Sequence, residues 1–171
     1  MNFEFLILDF IAEYIKNPFF DFLMPKITSL GNGGIIWIVA SVVLLAIPKY
    51  RKSGVALSIG LLLCLIIGNL TLKPLVARTR PFDLVEGVKL LIAAPTDFSF
   101  PSGHTLSSTV AAAVLTMTDK RFGYFAIPLA ILIAFSRLYL YVHFLTDILG
   151  GALIGAVISI AIYIVFFRKK A

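Results

Sequence analysis

Three short groups of polar residues interrupt a chain that is otherwise strongly apolar. They read Lys73-x6-Arg80-Pro81, Pro101-Ser102-Gly103-His104 and Ser136-Arg137-x5-His143-x3-Asp147. The two histidines of the sequence both lie in these groups. Charge that interrupts long apolar stretches is costly and tends to be kept for function, so the groups indicate one polar site.

The residue types fit the cleavage of a phosphate ester. That reaction needs cations and N–H donors to hold the phosphate oxygens, a nucleophile, and an acid for the leaving oxygen. Lys73, Arg80 and Arg137 supply positive charge at predicted helix ends. Ser102 and Gly103 stand where a helix would begin, so we expect their backbone N–H groups to point at an anion.

The spacing of His143 and Asp147 indicates an oriented nucleophile. Four residues apart on a helix, they would share one face, and the carboxylate would fix the ring tautomer and leave the other nitrogen free to attack. His104 would then protonate the leaving oxygen. Taken singly, each histidine could be a packing residue, and Asp147 could simply pair with Arg137. Two histidines and one aspartate beside three cations make a poor metal-ligand set.

The remaining composition indicates a membrane protein. Apolar residues make up 60% of the 171 positions, and the mean hydropathy is +0.99, too apolar for a small soluble domain. The net charge of +6 does not predict nucleic-acid binding, because the basic residues occur in short groups between apolar stretches. The single cysteine, Cys64, excludes a disulfide framework and is expected to pack in the core.

Five stretches are long and apolar enough to cross a bilayer, which takes about 17–25 residues. They are residues 27–48, 53–72, 103–118, 122–139 and 144–167. The glycines around residues 31–34 would make the first stretch irregular, and Gly151-x-x-x-Gly155 favours close helix packing within the chain. The sequence therefore predicts an all-α, polytopic membrane bundle that forms one domain over residues 1–171.

Residues 1–26 are harder to place. Apolar residues there alternate with Glu4, Asp9 and Glu13, and Asn17-Pro18 interrupts the run. We predict one or two helices lying on the outer membrane surface, with a sixth span as the alternative. The acidic N-terminus does not predict a cleavable signal peptide.

Basic residues between the spans predict the orientation, because Lys and Arg concentrate in short cytoplasmic loops. Alternation puts three basic groups on one side: Lys49, Arg51 and Lys52; Lys120 and Arg121; and Arg168, Lys169 and Lys170. Residues 73–102 and 136–147, with all three polar groups, then face outward. We expect residues 82–100 either to rest on the bilayer surface and leave the site open or to form an ordinary amphipathic connector.

Together, the three polar groups resemble the three-part motif of the type 2 phosphatidic acid phosphatase superfamily, which includes glucose-6-phosphatase and the vanadium haloperoxidases. The resemblance implies that His143 is a nucleophile forming a phosphohistidine, that Asp147 orients it, and that His104 acts as acid and then as base. It also implies a site without metal or other cofactor, with these phosphate-binding residues: Lys73, Arg80, Ser102, Gly103 and Arg137. Arg78 is an extra cation beside the motif, either a substrate-capture residue or a solvated loop charge.

The resemblance thus implies a phosphatase of lipid phosphates or diphosphates at the outer face of the cytoplasmic membrane. Analogy with related proteins favours undecaprenyl diphosphate as substrate, with phosphatidylglycerol phosphate and phosphatidic acid as alternatives. A lipid phosphotransferase is a second possibility. A protein that only binds or flips lipids is a third, although mere binding does not need an oriented nucleophile. The sequence does not indicate an oligomeric state.

Overall fold

The computed structural model describes residues 3–168, in which every regular element is helical. The α-helices are α1 (Phe3–Phe10), α2 (Pro18–Leu30), α3 (Ile35–Ala46), α4 (Arg51–Leu63), α5 (Lys73–Val76), α6 (Gly103–Thr118), α7 (Lys120–Tyr139) and α8 (Leu145–Ile162). Wider π-helical turns extend α1, α4 and α8, over Ile11–Ile15, Cys64–Leu72 and Tyr163–Phe167. Short 3₁₀ turns occupy Asn32–Gly34, Pro48–Tyr50 and Pro81–Asp83.

Three helical segments within the described range are long and apolar enough to cross a membrane. They are Pro48–Asp83, Lys120–Tyr139 and Leu145–Phe167, and they overlap three of the predicted spans. A fourth crossing results only if α2 and α3, which meet at 44°, count as one bent span. The chain is therefore an all-helical, multi-pass membrane protein, and the predicted count of five spans is not confirmed.

Two glycines cause the bend between α2 and α3. Gly33 and Gly34 have positive φ angles of 58° and 72°, a backbone region that residues with a side chain rarely occupy. The irregularity predicted for the stretch 27–48 is confirmed, because the helix breaks at these positions, and a crossing by this stretch stays a prediction. A short polar turn, Asn32–Gly34, therefore replaces continuous helix at this point in the bundle.

Helix α6 lies at the centre of the bundle and packs against α4, α7 and α8. Nine of its sixteen residues are buried. A helix of this length extends for about 24 Å, less than the roughly 30 Å of a bilayer's apolar core. The predicted span 103–118 is thus a real helix, surrounded by protein, that is short for a crossing.

Helix α8 approaches α6 closely through the predicted pair of small residues. A Cβ atom on Gly151 would lie 2.8 Å from the Ser102 carbonyl oxygen, and one on Gly155 would lie 2.8 Å from Thr109 Cβ. No larger side chain fits without shifting the helices, so the Gly-x-x-x-Gly spacing serves packing within the chain. The opposite face of α8 exposes large apolar side chains that would meet lipid: Leu149, Leu153, Val157 and Ile160.

The N-terminal segment packs on the bundle through α1 and α2. Leu8 is fully buried, and the Phe5 ring lies edge-on to Phe144 with 5.3 Å between centroids. Two of the acidic residues here are hydrogen-bond acceptors: Tyr141 Oη donates to Asp9 (2.8 Å) and Tyr139 Oη to Asp21 (2.7 Å). The position of residues 1–26 at the membrane surface stays a prediction.

The basic groups gather at one end of the bundle. The antiparallel order of α4, α6, α7 and α8 brings the turn Pro48–Tyr50, the start of α7 and Arg168 to that end. The Tyr50 and Phe122 rings meet there, 5.5 Å apart. Lys169 and Lys170, which belong to the third predicted group, lie outside the described residues.

Candidate active site

A cavity of about 790 Å³ opens at the other end of the bundle. Its walls come from the break between α2 and α3, the turn Cys64–Leu72, the segment after α5 and the adjoining ends of α6 and α7. Six predicted site residues line it: Lys73, Arg80, Gly103, His104, Arg137 and His143. Residues from all three polar groups therefore share one space, including both imidazoles.

Three cations of the cavity are buried, with exposed fractions of 6% for Lys73, 3% for Arg80 and 3% for Arg137. Arg137, in the last turn of α7, donates through Nη1 to Thr28 Oγ1 (2.7 Å). Its Nε is buried without a hydrogen-bond partner. A buried charge without a partner costs free energy, and an anion bound beside this guanidinium would supply the missing acceptor.

Asp97, which the sequence analysis missed, joins the other two cations. Its carboxylate accepts from Arg80 Nη2 (2.6 Å) and pairs with Lys73 Nζ, and its backbone oxygen accepts from Arg80 Nε (2.7 Å). Partial burial alone would raise the pKa of Asp97, but these bonds and charges lower it to about 2. A carboxylate therefore contacts the two cations that the sequence analysis expects to bind phosphate.

Part of the segment 82–100 packs on the protein, while Leu84 and Leu91 are exposed, so contact of this segment with the bilayer stays a prediction. Val88, Leu90 and Ile92 are partly buried against the cluster formed by α1, α2 and residues 138–148. Ile92 also lines the cavity. These three side chains therefore contact protein as well as the outer surface.

The spacing predicted that His143 and Asp147 share one face of a helix, and this prediction is wrong. His143 lies in the loop before α8, and the chain enters the helix at Phe144, whose backbone is extended (φ −79°, ψ 161°). Asp147 is in the first turn, where its Oδ2 accepts from the Phe144 N–H (2.8 Å) and caps the helix. The two side chains still meet, with His143 Nδ1 3.4 Å from Asp147 Oδ2.

The neighbours of His143 define its protonation. Its Nε2 is 3.2 Å from Arg80 Nη1, and because a guanidinium can only donate, Nε2 must present its lone pair. The single ring proton is therefore on Nδ1, facing Asp147 and Ser99. Burial, reinforced by Arg80 and Arg137, lowers the pKa of His143 to about 3 despite Asp147. The ring is neutral at physiological pH, as a nucleophile requires.

Ser99 supports Asp147 from the loop that precedes α6. It is fully buried, donates through Oγ to Asp147 Oδ2 (2.5 Å) and lies 3.4 Å from His143 Nδ1. Serine is common in loops, so the only sequence signal for Ser99 is its position two residues before Pro101.

His104 stands on the first turn of α6, across the cavity from the His143 loop. Its Nε2 lies 3.0 Å from Asn32 Oδ1, an acceptor, so this nitrogen carries a proton. Gly31 packs against the ring: a Cβ there would lie 2.6 Å from His104 Cδ2. The turn between α2 and α3 thus supplies both the hydrogen-bond partner of His104 and the room for it.

Gly103 and Ser102 have different surroundings. Gly103 lines the cavity beside Asn69, and as the first residue of α6 its N–H has no partner within the helix. The Ser102 N–H, which we expected to bind phosphate, instead donates to the Asp147 carbonyl (3.1 Å). Its Oγ caps α6 by accepting from Thr105. Ser102 thus joins α6 to α8 behind the cavity.

The described part of the chain contains no ready set of metal ligands. No three His, Cys, Asp or Glu side chains within residues 3–168 gather so as to hold an ion. Cys64 is buried and free, and it lines the cavity on its apolar side.

Comparison with known proteins identifies the family to which this arrangement belongs. A family model described as the PAP2 superfamily matches residues 53–171. The chain belongs to this superfamily. The match confirms the type 2 phosphatidic acid phosphatase resemblance predicted from the three polar groups.

Relatives within the PAP2 superfamily include named phosphatases. An undecaprenyl-diphosphatase from Sulfolobus acidocaldarius is 35% identical over 125 residues, which span 72% of this chain and 60% of that protein. Phosphatidylglycerophosphatase B from Bacillus subtilis is 31% identical over 160 residues, spanning 84% of this chain and 74% of the relative. The crystal structure of Aquifex aeolicus LpxE matches with a TM-score of 0.76 at 27% identity and covers 95% of both chains.

The contact between Gly31 and His104 generates a prediction. Gly31→Ala should displace the His104 ring and lower kcat for phosphate release by roughly 10- to 100-fold, since small misplacements of a reacting group are that costly. Gly33→Ala is the matched control: it strains the same turn, but its Cβ meets nothing within 4 Å. An equal loss of kcat in both variants would assign the effect to the turn and not to His104.

Proposed function

We propose that this protein hydrolyses the phosphate or diphosphate ester of a membrane lipid through a phosphohistidine on His143. The observation that carries the proposal is the cavity itself, in which three buried cations and two imidazoles face one space. The unpartnered Nε of Arg137 supports an anionic ligand there. The names of the relatives support a lipid phosphate as that ligand.

In the first step, the phosphate oxygens bind Arg137, Lys73 and Arg80, and the Gly103 N–H adds a donor at the start of α6. His143 Nε2 attacks phosphorus as the bond to the lipid oxygen breaks. The ring becomes a cation stabilised by the Asp147 carboxylate. His104, protonated on both ring nitrogens when the anionic substrate is bound, passes its Nε2 proton to the leaving oxygen and becomes a neutral imidazole. The leaving group departs as an alcohol or, from a diphosphate, as a lipid phosphate.

In the second step, water replaces the lipid. His104, now lacking that proton, accepts one from the water as its oxygen attacks phosphorus. The bond between phosphorus and His143 Nε2 breaks, inorganic phosphate leaves, and both rings return to their first state. The cycle uses side chains alone, so we propose it without a metal ion.

The division of labour between the histidines can be tested by trapping. His143→Ala should abolish phosphate release and also the acid-labile label that ³²P-substrate leaves on quenched protein. His104→Ala should still be labelled by an aryl phosphate, whose leaving group needs no proton, and should lose the label slowly because the water lacks a base. Label that survives in His143→Ala would place the nucleophile elsewhere.

For the substrate, we propose undecaprenyl diphosphate, with phosphatidylglycerol phosphate and phosphatidic acid as alternatives. The cavity continues from its charged end to apolar side chains of α3, α4 and the π-helical turns after α4, including Ile38, Leu61 and Leu65, which suits a lipid chain joined to the phosphate. The undecaprenyl-diphosphatase relative supports the choice among lipids.

A panel of these three lipids with purified protein tests the choice. We expect the highest kcat/KM for undecaprenyl diphosphate, with inorganic phosphate and undecaprenyl phosphate as products. A higher kcat/KM for either glycerolipid would reassign the substrate. Label recovered on a second lipid or sugar, in place of free phosphate, would make the protein a phosphotransferase.

The membrane arrangement is also a proposal: one domain over residues 1–171, with five crossings, a surface-lying segment 1–26 and the cavity facing outward from the cytoplasmic membrane. The basic groups at the opposite end of the bundle support this orientation. The outer position of residues 73–102 follows from it.

Labelling of single cysteines tests the orientation. In a Cys64→Ser background, Glu86→Cys should react with an impermeant thiol reagent in intact cells, because Glu86 is exposed beside the cavity. Arg121→Cys, exposed at the opposite end, should react only after lysis. The reverse pattern would invert the protein in the membrane.

A further inference from the structure

Arg78 lies behind Asp147, outside the set of residues that line the cavity. Its Nη1 donates to Asp147 Oδ1 (2.7 Å) and to Thr146 Oγ1 (2.6 Å). Its Nη2 pairs with Glu4, and its guanidinium carbon is 4.2 Å from the centroid of the Phe144 ring. Neither role expected from the sequence fits, since Arg78 does not reach the substrate space and its side chain is only 25% exposed.

The two oxygens of Asp147 have separate partners. Oδ2 accepts from Ser99 Oγ and the Phe144 N–H, and it is also the oxygen that faces His143 Nδ1. Oδ1 accepts from Arg78, the one cation paired with Asp147 among the described residues. Asp147 has no exposed surface. Removing Arg78 would leave Asp147 Oδ1 buried without its charged donor, and this would cost free energy.

We propose that Arg78 is a positioning residue: it holds the Asp147 carboxylate ionised and rotated so that Oδ2 faces His143. The inference rests on the proposed role of His143 as nucleophile. When Nε2 attacks phosphorus, the imidazole gains a positive charge, and its stabilisation depends on a charged Asp147 in the correct orientation. Arg78 acts through Asp147 and touches no reacting atom.

Glu4 extends the arrangement to the N-terminal helix. Its Oε2 pairs with Arg78 Nη2, and its Oε1 accepts from Thr146 Oγ1. Helix α1 therefore holds the guanidinium from the side opposite Asp147, so that the planar donor group is fixed at both ends. A segment that the sequence assigns to the membrane surface thus forms part of the support of the catalytic pair.

Steady-state kinetics separate positioning from substrate binding. Arg78→Ala should lower kcat by roughly 10- to 100-fold, the usual cost of losing a partner that orients a functional side chain. KM and the inhibition constant of inorganic phosphate should stay unchanged, because Arg78 does not line the cavity. Arg78→Lys should give an intermediate kcat, since an ammonium keeps the charge but cannot reach both carboxylates as a planar fork does.

Arg121→Ala is the matched control, because Arg121 is an 83% exposed arginine at the far end of the bundle. It should leave all three constants unchanged. A wild-type kcat in Arg78→Ala would overturn the proposal. A raised KM together with weaker phosphate inhibition would also overturn it and make Arg78 a substrate-binding residue.

A spectroscopic test does not depend on turnover. In a His104→Ala protein, His143 is the one remaining histidine, so ¹⁵N-histidine labelling reports its Nδ1–H resonance alone. Adding Arg78→Ala should move that proton upfield, because its hydrogen bond to Asp147 weakens, and Arg78→Lys should move it less. An unchanged resonance would refute the positioning role. If the wild-type protein releases no phosphate from any lipid, the proposed function fails, and this resonance still decides the role of Arg78.

Discussion

The site depends on the burial of three cations at the end of a membrane bundle. Lys73, Arg80 and Arg137 are each at least nine-tenths buried, and taking a charge out of water costs several kcal/mol unless an opposite charge repays it. Asp97 is the one carboxylate among the described cavity-lining residues, and it serves two of the three. The remaining positive charge favours the binding of an anion.

The two aspartates near this charge have opposite surroundings. Asp147 is fully buried, and its donors come from the loop before α6, from the start of α8 and from Arg78. Asp97 has 53% of its side chain exposed and sits on an irregular segment. A carboxylate that must orient a ring benefits from many rigid partners. Asp97, by contrast, keeps contact with water while it pairs with Lys73 and Arg80.

The sequence predicted the main parts of the site because its residues lie within compact local motifs. The start of α6 and the end of α7 follow from the bounds of the apolar stretches 103–118 and 122–139, and the histidines lie at or just beyond these bounds. Asp97, Ser99 and Asn32 could not be predicted, since each acts through the path of a loop whose course depends on tertiary contacts. The same limit explains why His143 was expected on a helix that begins only after Phe144.

The predicted count of five membrane spans is not confirmed, for a different reason. Hydropathy averages over a window and does not register a local break in the backbone. Gly33 and Gly34 divide an apolar stretch into α2 and α3, and that division brings Gly31 and Asn32 to the His104 ring. The irregularity at these glycines is therefore part of the site. Non-helical backbone in a membrane protein is tolerated where it lines a polar cavity, and this turn lines one.

The charges of the cavity also limit what can bind in it. With His143 neutral and Asp97 ionised, the described lining residues leave two positive charges uncompensated. A phosphate dianion would balance them with Asp97 in place, whereas a more highly charged diphosphate would repel that carboxylate. Because Asp97 contacts the same donors of Lys73 and Arg80 that a phosphate would use, any anion must either share these cations with it or displace it. Displacement is feasible because the Asp97 side chain is 53% exposed, so its carboxylate can exchange these two cations for water.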